Sequence, residues 1–415
     1  MGVWIRAVEA LGVAAARARR IALTRIGGLF GLGAENFQML ESVRRPEWIY
    51  RSRRRLPRGE YQFRQARPAT DQDVALCERL IGAYAAATGT SRQSPGMWSE
   101  IFGTRQRELA GALERHDPET LARLLASMFQ SDFVLGMAPG SMFRHTRSRV
   151  GARIWWLRSL DGLLSLGEAL GAAPAEGPEQ GVPGKAFEEG IEKLVAEIES
   201  SLGISIDFPD VGAAYGLSAG DRLIPIESPE QIYAAMRMRE GVRRYLEPDR
   251  MRNLRVVEVG AGYGGMAYWF LQLHPGTERY VIVDLPITNV LHGYFLSQAL
   301  GADEVSLFGE KPARVQVLPD SALEEIEGSQ DVVVNKDSFP EMPEQAMLGY
   351  LEWARSNCDG ILYSYNQEAA APFQGVPQNV VPMAMQRVGG FEKLQRDCSW
   401  LRRGYVEEVY LRTPA

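Results

Sequence analysis

The stretch Val256–Gly265, VVEVGAGYGG, constrains this chain more than any other. Apolar residues flank an acid and run into four glycines within six positions. A short β-branched run of this kind predicts a buried strand. Glycines at its end let the chain turn sharply and let another molecule approach the backbone. Gly260, Gly262 and Gly265 fit the spacing G-x-G-x-x-G, and Glu258 stands two residues ahead of the first glycine. Such a turn, opening into a helix, offers a ligand bare N–H groups and a helix N-terminus.

The texture on either side sets the fold class. From Arg255 onward, strands and helices alternate. RVVEVG, RYVIVDLP, ARVQVLP, SQDVVVNKDSF and DGILYSYNQ read as strands, with helices such as GGMAYWFLQLH and TNVLHGYFLSQAL between them. FEKLQRDCSW and GYVEEVYLR close the chain as two more strands that can pair antiparallel. Repeated β–α units imply right-handed crossovers and a largely parallel sheet. The expectation is an α/β, doubly wound, seven-stranded Rossmann-like domain over residues 251–415.

Residues 1–170 read as mainly α-helical. Asp117 is placed to cap a helix opened by Pro118, with Leu121, Leu124, Leu125 and Met128 on one face. Residues 171–186, rich in Gly and Pro, read as a linker or surface loop. Residues 187–250 read as a helical connector, in which Ser228 is the expected cap of a helix that stops before Pro248.

Composition excludes several classes. A net charge of −6 gives no reason to expect nucleic acid. Three widely spaced cysteines argue against a disulfide framework and for the cytoplasm, and with four histidines no metal site is expected. Residues 1–67 nevertheless hold 14 Arg, no Lys and 5 Glu. The first of these residues form a basic amphipathic stretch. Docking on protein is the favoured reading, and contact with an anionic membrane surface the less favoured one.

Two cofactors would suit the glycine turn. Asp284, ending VIVDLP, can accept hydrogen bonds from the ribose of either. A dinucleotide site would make the protein an NAD(P)-dependent oxidoreductase or epimerase. However, Glu258 inside the first strand, the terminal hairpin and the lack of a second mononucleotide half favour S-adenosylmethionine. The region from about Arg222 to Arg412 resembles the class I S-adenosylmethionine-dependent methyltransferases, and within them the sugar O-methyltransferase family. VVEVGAGYGGMAYWF with YVIVDLP, VVVNKDSFPEMP, and GILYSYNQ with WLRRGYVEEVYLR carry that likeness.

The resemblance implies O-methylation of a sugar or glycosylated natural product, with no metal required. It places Glu258, Gly260, Ala261, Gly262, Gly264, Asp284, Leu285 and Asn335 around the cofactor. Asp320 would lie near the adenine or would cap the following helix. Glu341 is the expected base, with Asp337 second; Glu341 would equally serve as a helix N-terminal carboxylate. Ser338, Tyr365 and Asn366 are expected on the acceptor side, with Trp400 as a further aromatic face. Arg237 and Arg239 would reach the cofactor carboxylate or form salt bridges, and His292 is expected in packing. A homodimer through the helical half is expected, and a catalytically silent adaptor remains the rival from another class.

Overall fold

The helical half begins with local signals that act as read. In the structure, a computed structural model, residues 61–88, 103–134, 136–138, 149–177, 187–370 and 377–413 are described. The basic N-terminal stretch and residues 178–186 of the Gly/Pro-rich segment lie outside them. After β1 (Tyr61–Phe63) come α1 (Asp71–Thr88), α2 (Arg107–Glu114) and α3 (Pro118–Leu125). Asp117 accepts from the Thr120 N–H at 2.9 Å, satisfying one of the free donors that open α3. Leu121 and Leu125 are buried beneath that helix, and Met128 just beyond it. The helices α4 (Arg149–Leu170) and α5 (Ile191–Leu202) follow, α5 ending at Gly203 as expected.

Two features of this half escape local patterns. β1 pairs with β2 (Tyr215–Ala219), which pairs with β3 (Arg222–Ile224), giving a small antiparallel sheet. β1 and β2 are far apart in sequence, and their union depends on how the intervening helices fold. The helix α6 (Ser228–Tyr245) carries Glu227, not Ser228, at its cap position, and Glu227 makes no side-chain capping bond there.

The second half builds an eight-stranded sheet. Its strands are β4 (Leu254–Val259), β5 (Thr277–Asp284), β6 (Val305–Leu307), β7 (Val315–Pro319), β8 (Gln330–Lys336), β9 (Cys358–Gln367), β10 (Phe391–Cys398) and β11 (Tyr405–Arg412). The order is β10-β11-β9-β8-β4-β5-β7-β6. All neighbours pair parallel except β11, which runs antiparallel to both β9 and β10. The expected seven strands are present, and the eighth is the edge strand β6. Three residues are too few to show a period of their own.

Alternation along β4 and β5 splits the core. Val256 and Ile282 face one side with α6, α7 (Gly265–Leu273) and α8 (Pro286–Leu300). Val257, Val259, Val281 and Val283 face the other with α9 (Glu344–Asn357) and α10 (Val381–Val388). The sheet is therefore doubly wound. The first face shares one apolar cluster with the helical half, from Leu76 through Leu160 to Val409. Each large side chain buried there, such as Phe270, contributes about 1.5–3 kcal/mol relative to exposure. This shared core, together with β1 on β2, sets the N-terminal half against the sheet.

Candidate active site

β4 ends in the glycine turn. Gly260 donates to Val283 O at 3.0 Å and has φ +75°, a conformation that L side chains rarely adopt. A Cβ there would lie 2.2 Å from Ser338 Oγ, so the protein's own neighbour fills the space. At Gly265 the same holds for Gln231 Oε1, at 2.1 Å. Gly262 differs, because the nearest atom to an added Cβ would be Met137 Cβ at 3.6 Å. The turn is therefore least tightly packed by the protein at Gly262, where Met137 lies at ordinary contact distance.

Below the turn, His292 is fully buried. Its Nδ1 lies 3.2 Å from Gly262 O and its Nε2 2.8 Å from the Asn289 side chain. Burial pushes the imidazole down to about 4, so it is neutral and has one N–H. That proton belongs on Nδ1, donated to Gly262 O, with the Asn289 amide turned to donate to Nε2. His292 thus holds the turn from beneath, in keeping with its expected packing role.

Asp284 ends β5 beside the turn. Its carboxylate accepts from Ala261 N–H at 3.0 Å and from Leu285 N–H at 2.7 Å. A carboxylate has about four acceptor positions, so capacity remains for hydroxyl donors. Burial pushes Asp284 up to about 7, against the N–H groups of Leu285, Ala261 and Gly262, and Asp320 pushes the same way. Burial raises Tyr350 of α9, and the charges of Asp320 and Asp284 push the same way, so the three lie within electrostatic reach at the tips of β5 and β7. Pro319, not Asp320, occupies the position ahead of the short 3-10 turn Asp320–Glu325. Glu258 is buried within β4, where Tyr280 Oη donates to it at 2.8 Å. Burial raises it to about 7.

At the tip of β8 the structure redistributes the expected roles. Asn335 Nδ2 and Ser338 Oγ both donate to Val259 O, at 2.8 and 3.0 Å. They brace the glycine turn from the adjacent strand. Asp337 adopts φ +65° and accepts from Arg402 Nη1 and, at 2.6 Å, from Tyr405 Oη. Each of its two carboxylate oxygens is thus engaged by a donor from the loop and strand that follow β10. Glu341, partly buried, closes a 3-10 turn (Phe339–Glu341) just ahead of α9.

Tyr365 and Asn366 are buried, and neither presents a face to an acceptor. The Tyr365 hydroxyl meets Ser399 Oγ at 2.7 Å, and its ring lies under Lys336 Nζ at 5.5 Å. Asn366 Nδ2 donates to Ser364 Oγ at 2.9 Å. Trp400, by contrast, is 39% exposed. Arg237 takes the salt-bridge alternative, with Glu407, Asp397 and Glu240. Arg239 reaches Leu273 O at 3.3 Å.

Glu230 and Gln231 of α6, outside every quoted phrase, complete the site with Lys336 and Arg402. Lys336 Nζ lies 2.9 Å from Glu230 Oε1, and Arg402 bridges Glu230 and Asp337. Burial alone would raise Glu230, but Lys336 and Arg402 outweigh it and hold the carboxyl at about 2. Gln231 of α6 accepts from Tyr263 Oη at 2.7 Å, which locks the first turn of α6 onto the glycine turn. Among the described residues, no group of three or more His, Cys, Asp or Glu could hold a metal ion. No described helix is long and apolar enough to cross a membrane.

The sheet defines a doubly wound, Rossmann-like α/β class with one antiparallel strand, β11. In dinucleotide folds the order 3-2-1-4-5-6 continues with a parallel sixth strand. Here β7-β5-β4-β8-β9 repeats the first five places, and the antiparallel β11 takes the next. No protein-family model matches the chain, and no curated protein does. Solved structures similar to it include an O-methyltransferase family protein from Burkholderia thailandensis, at 12% identity, 83% of this chain, 95% of that one and TM-score 0.36. The mitomycin 7-O-methyltransferase MmcR is similar at 14% identity, 82% and 95% coverage and TM-score 0.35. The pyocyanin biosynthetic protein PhzM is similar at 18% identity, 63% and 85% coverage and TM-score 0.35. Likenesses this distant do not assign an activity to the chain.

Proposed function

We propose that this chain is an S-adenosylmethionine-dependent O-methyltransferase acting on a hydroxyl of a sugar or glycosylated natural product. One observation carries the reading: the glycine turn, least tightly packed at Gly262, and the Asp284 carboxylate stand at adjacent strand tips, in a sheet whose strand beyond β9 is antiparallel. Gly260, Ala261, Gly262 and Gly264 would lie under the cofactor. Asp284, with acceptor positions left over, would take the ribose hydroxyls, and Asp320 beside it the adenine amine. The sugar class of acceptor rests on the resemblance of the β8 phrase. Cytoplasmic location rests on the cysteine pattern, and a homodimer on the helical addition.

When bound, S-adenosylmethionine supplies a methyl group activated by positive sulfur. The protein's share is alignment and exclusion of water. A sugar hydroxyl is protonated at neutral pH, so a base lowers the barrier by accepting its proton as the bond forms. Glu341 remains the proposed base, since Asp337 is tied to Arg402 and Tyr405. Asp337 instead fixes the β8 tip against the β10–β11 hairpin.

Calorimetry with S-adenosylmethionine, S-adenosylhomocysteine and NADH tests the reading. Binding of the first two and not the third is expected. Binding of NADH alone would replace it with the oxidoreductase reading. Glu341→Gln should lower turnover about 100-fold or more, within the range of general base catalysis, while leaving S-adenosylhomocysteine affinity intact.

A further inference from the structure

The carboxylates near the glycine turn differ in one respect. Asp284 is committed to backbone N–H groups, Glu258 to Tyr280, Asp337 to Arg402 and Tyr405, and Glu230 to Lys336 and Arg402. Glu227 accepts only from its own backbone N–H among the described residues. It is mostly buried and stands at the cap position of α6, one turn before Gln231. Gln231 packs against Gly265 and accepts from Tyr263, so the first turn of α6 lies directly on the glycine turn. Glu230, three residues on, shares this face and meets Lys336 at the tip of β8.

A largely buried carboxylate whose one donor is its own N–H is costly. The groups around Glu227 do not relieve that cost. Arg158 of α4 acts on it from a distance, with Asp161 3.9 Å from its own guanidinium. Lys336 of β8 is held by Glu230. Tyr61 of β1, Tyr215 of β2 and Tyr263 of the glycine turn feel its charge as neutral phenols. What the position lacks is a positive charge arriving from the side of the turn.

Resting on the methyl-transfer reading, we infer that Glu227 is the counter-charge for the cationic end of the ligand seated on the glycine turn, the ammonium and sulfonium of S-adenosylmethionine. The unliganded carboxyl fits this part. Burial, and then the charge of Glu230, push it up to about 8, so at pH 7 it is mostly neutral. A cation brought beside it favours the carboxylate, and the carboxyl proton passes to solvent. Binding at pH 7 is therefore coupled to release of close to one proton.

The experiment is calorimetric titration of the full chain with S-adenosylmethionine and with S-adenosylhomocysteine, in buffers of differing ionisation enthalpy. Wild type should release about 0.9 proton per S-adenosylmethionine bound at pH 7, as a carboxyl near 8 requires. Equal release with S-adenosylhomocysteine identifies the ammonium as the partner; release confined to S-adenosylmethionine identifies the sulfonium. Glu227→Gln should abolish the release and weaken S-adenosylmethionine about tenfold, the loss of one charge-assisted contact. Glu227→Asp should keep part of both, which guards against a variant that is merely misfolded. Unchanged proton release and affinity in Glu227→Gln would overturn the inference and leave the methyltransferase reading standing. Failure of wild type to bind either ligand would overturn both.

Discussion

Gly260→Ala tests the geometry on which the glycine turn depends. Two costs apply, and they can be separated. An L side chain at φ +75° is held in the left-handed region, at about 1–2 kcal/mol. The new Cβ would also lie 2.2 Å from Ser338 Oγ and 2.5 Å from Ser338 Cβ. Ser338 cannot swing away freely, because its hydroxyl donates to Val259 O at 3.0 Å. Forcing an extra carbon into such a contact costs about 1–3 kcal/mol. Gly260→Ala should therefore destabilise the protein by about 2–5 kcal/mol. Ser338→Gly alone should cost about 1 kcal/mol through its lost hydrogen bond. Combined with Gly260→Ala it removes the collision but not the dihedral cost. Urea unfolding of the parent, both single variants and the double variant closes the cycle. The expected coupling is about 1–3 kcal/mol in favour of the double variant. The reasoning fails if Gly260→Ala lies within about 0.5 kcal/mol of the parent, or if the two effects simply add.

Two further outcomes follow from the same site. Asp337 sits at φ +65°, so Asp337→Gly should melt higher than Asp337→Ala; both lose Arg402 and Tyr405, but only alanine carries the left-handed cost of about 1–2 kcal/mol. Equal melting temperatures would refute a dihedral role. Glu227 is raised to about 8 in the folded protein, so its contribution to stability is full below the ordinary glutamate range and is lost as pH rises toward 8. Glu227→Gln does not titrate. It should match wild type near pH 4.5 and melt about 1 °C higher at pH 8, roughly 1 kcal/mol after screening by solvent. A difference that does not change with pH would contradict the burial of that carboxyl.

The sequence by itself determined the elements and their order. Strand and helix periods, the Asp117–Pro118 start of α3, the stop at Gly203 and the glycines after β4 depend on backbone sterics and on neighbours within a few residues. Those forces act before the chain closes on itself, so they can be read locally. Only the tertiary structure decided what the side chains at the strand tips do. Asn335 and Ser338 lie in a phrase that resembles a ligand-binding motif, yet they brace Val259 because β8 falls beside β4. Arg402 and Tyr405 reach Asp337 because β11 turns back antiparallel along β9. Glu227 is left with its own backbone N–H as donor because Arg158 of α4, Tyr61 of β1 and Tyr215 of β2 come near enough to feel its charge without bonding to it. β1 finds β2, and β6 finds β7, by the same long-range closure. Charge compensation and burial depend on which distant segments meet, and no local period in the chain encodes that meeting.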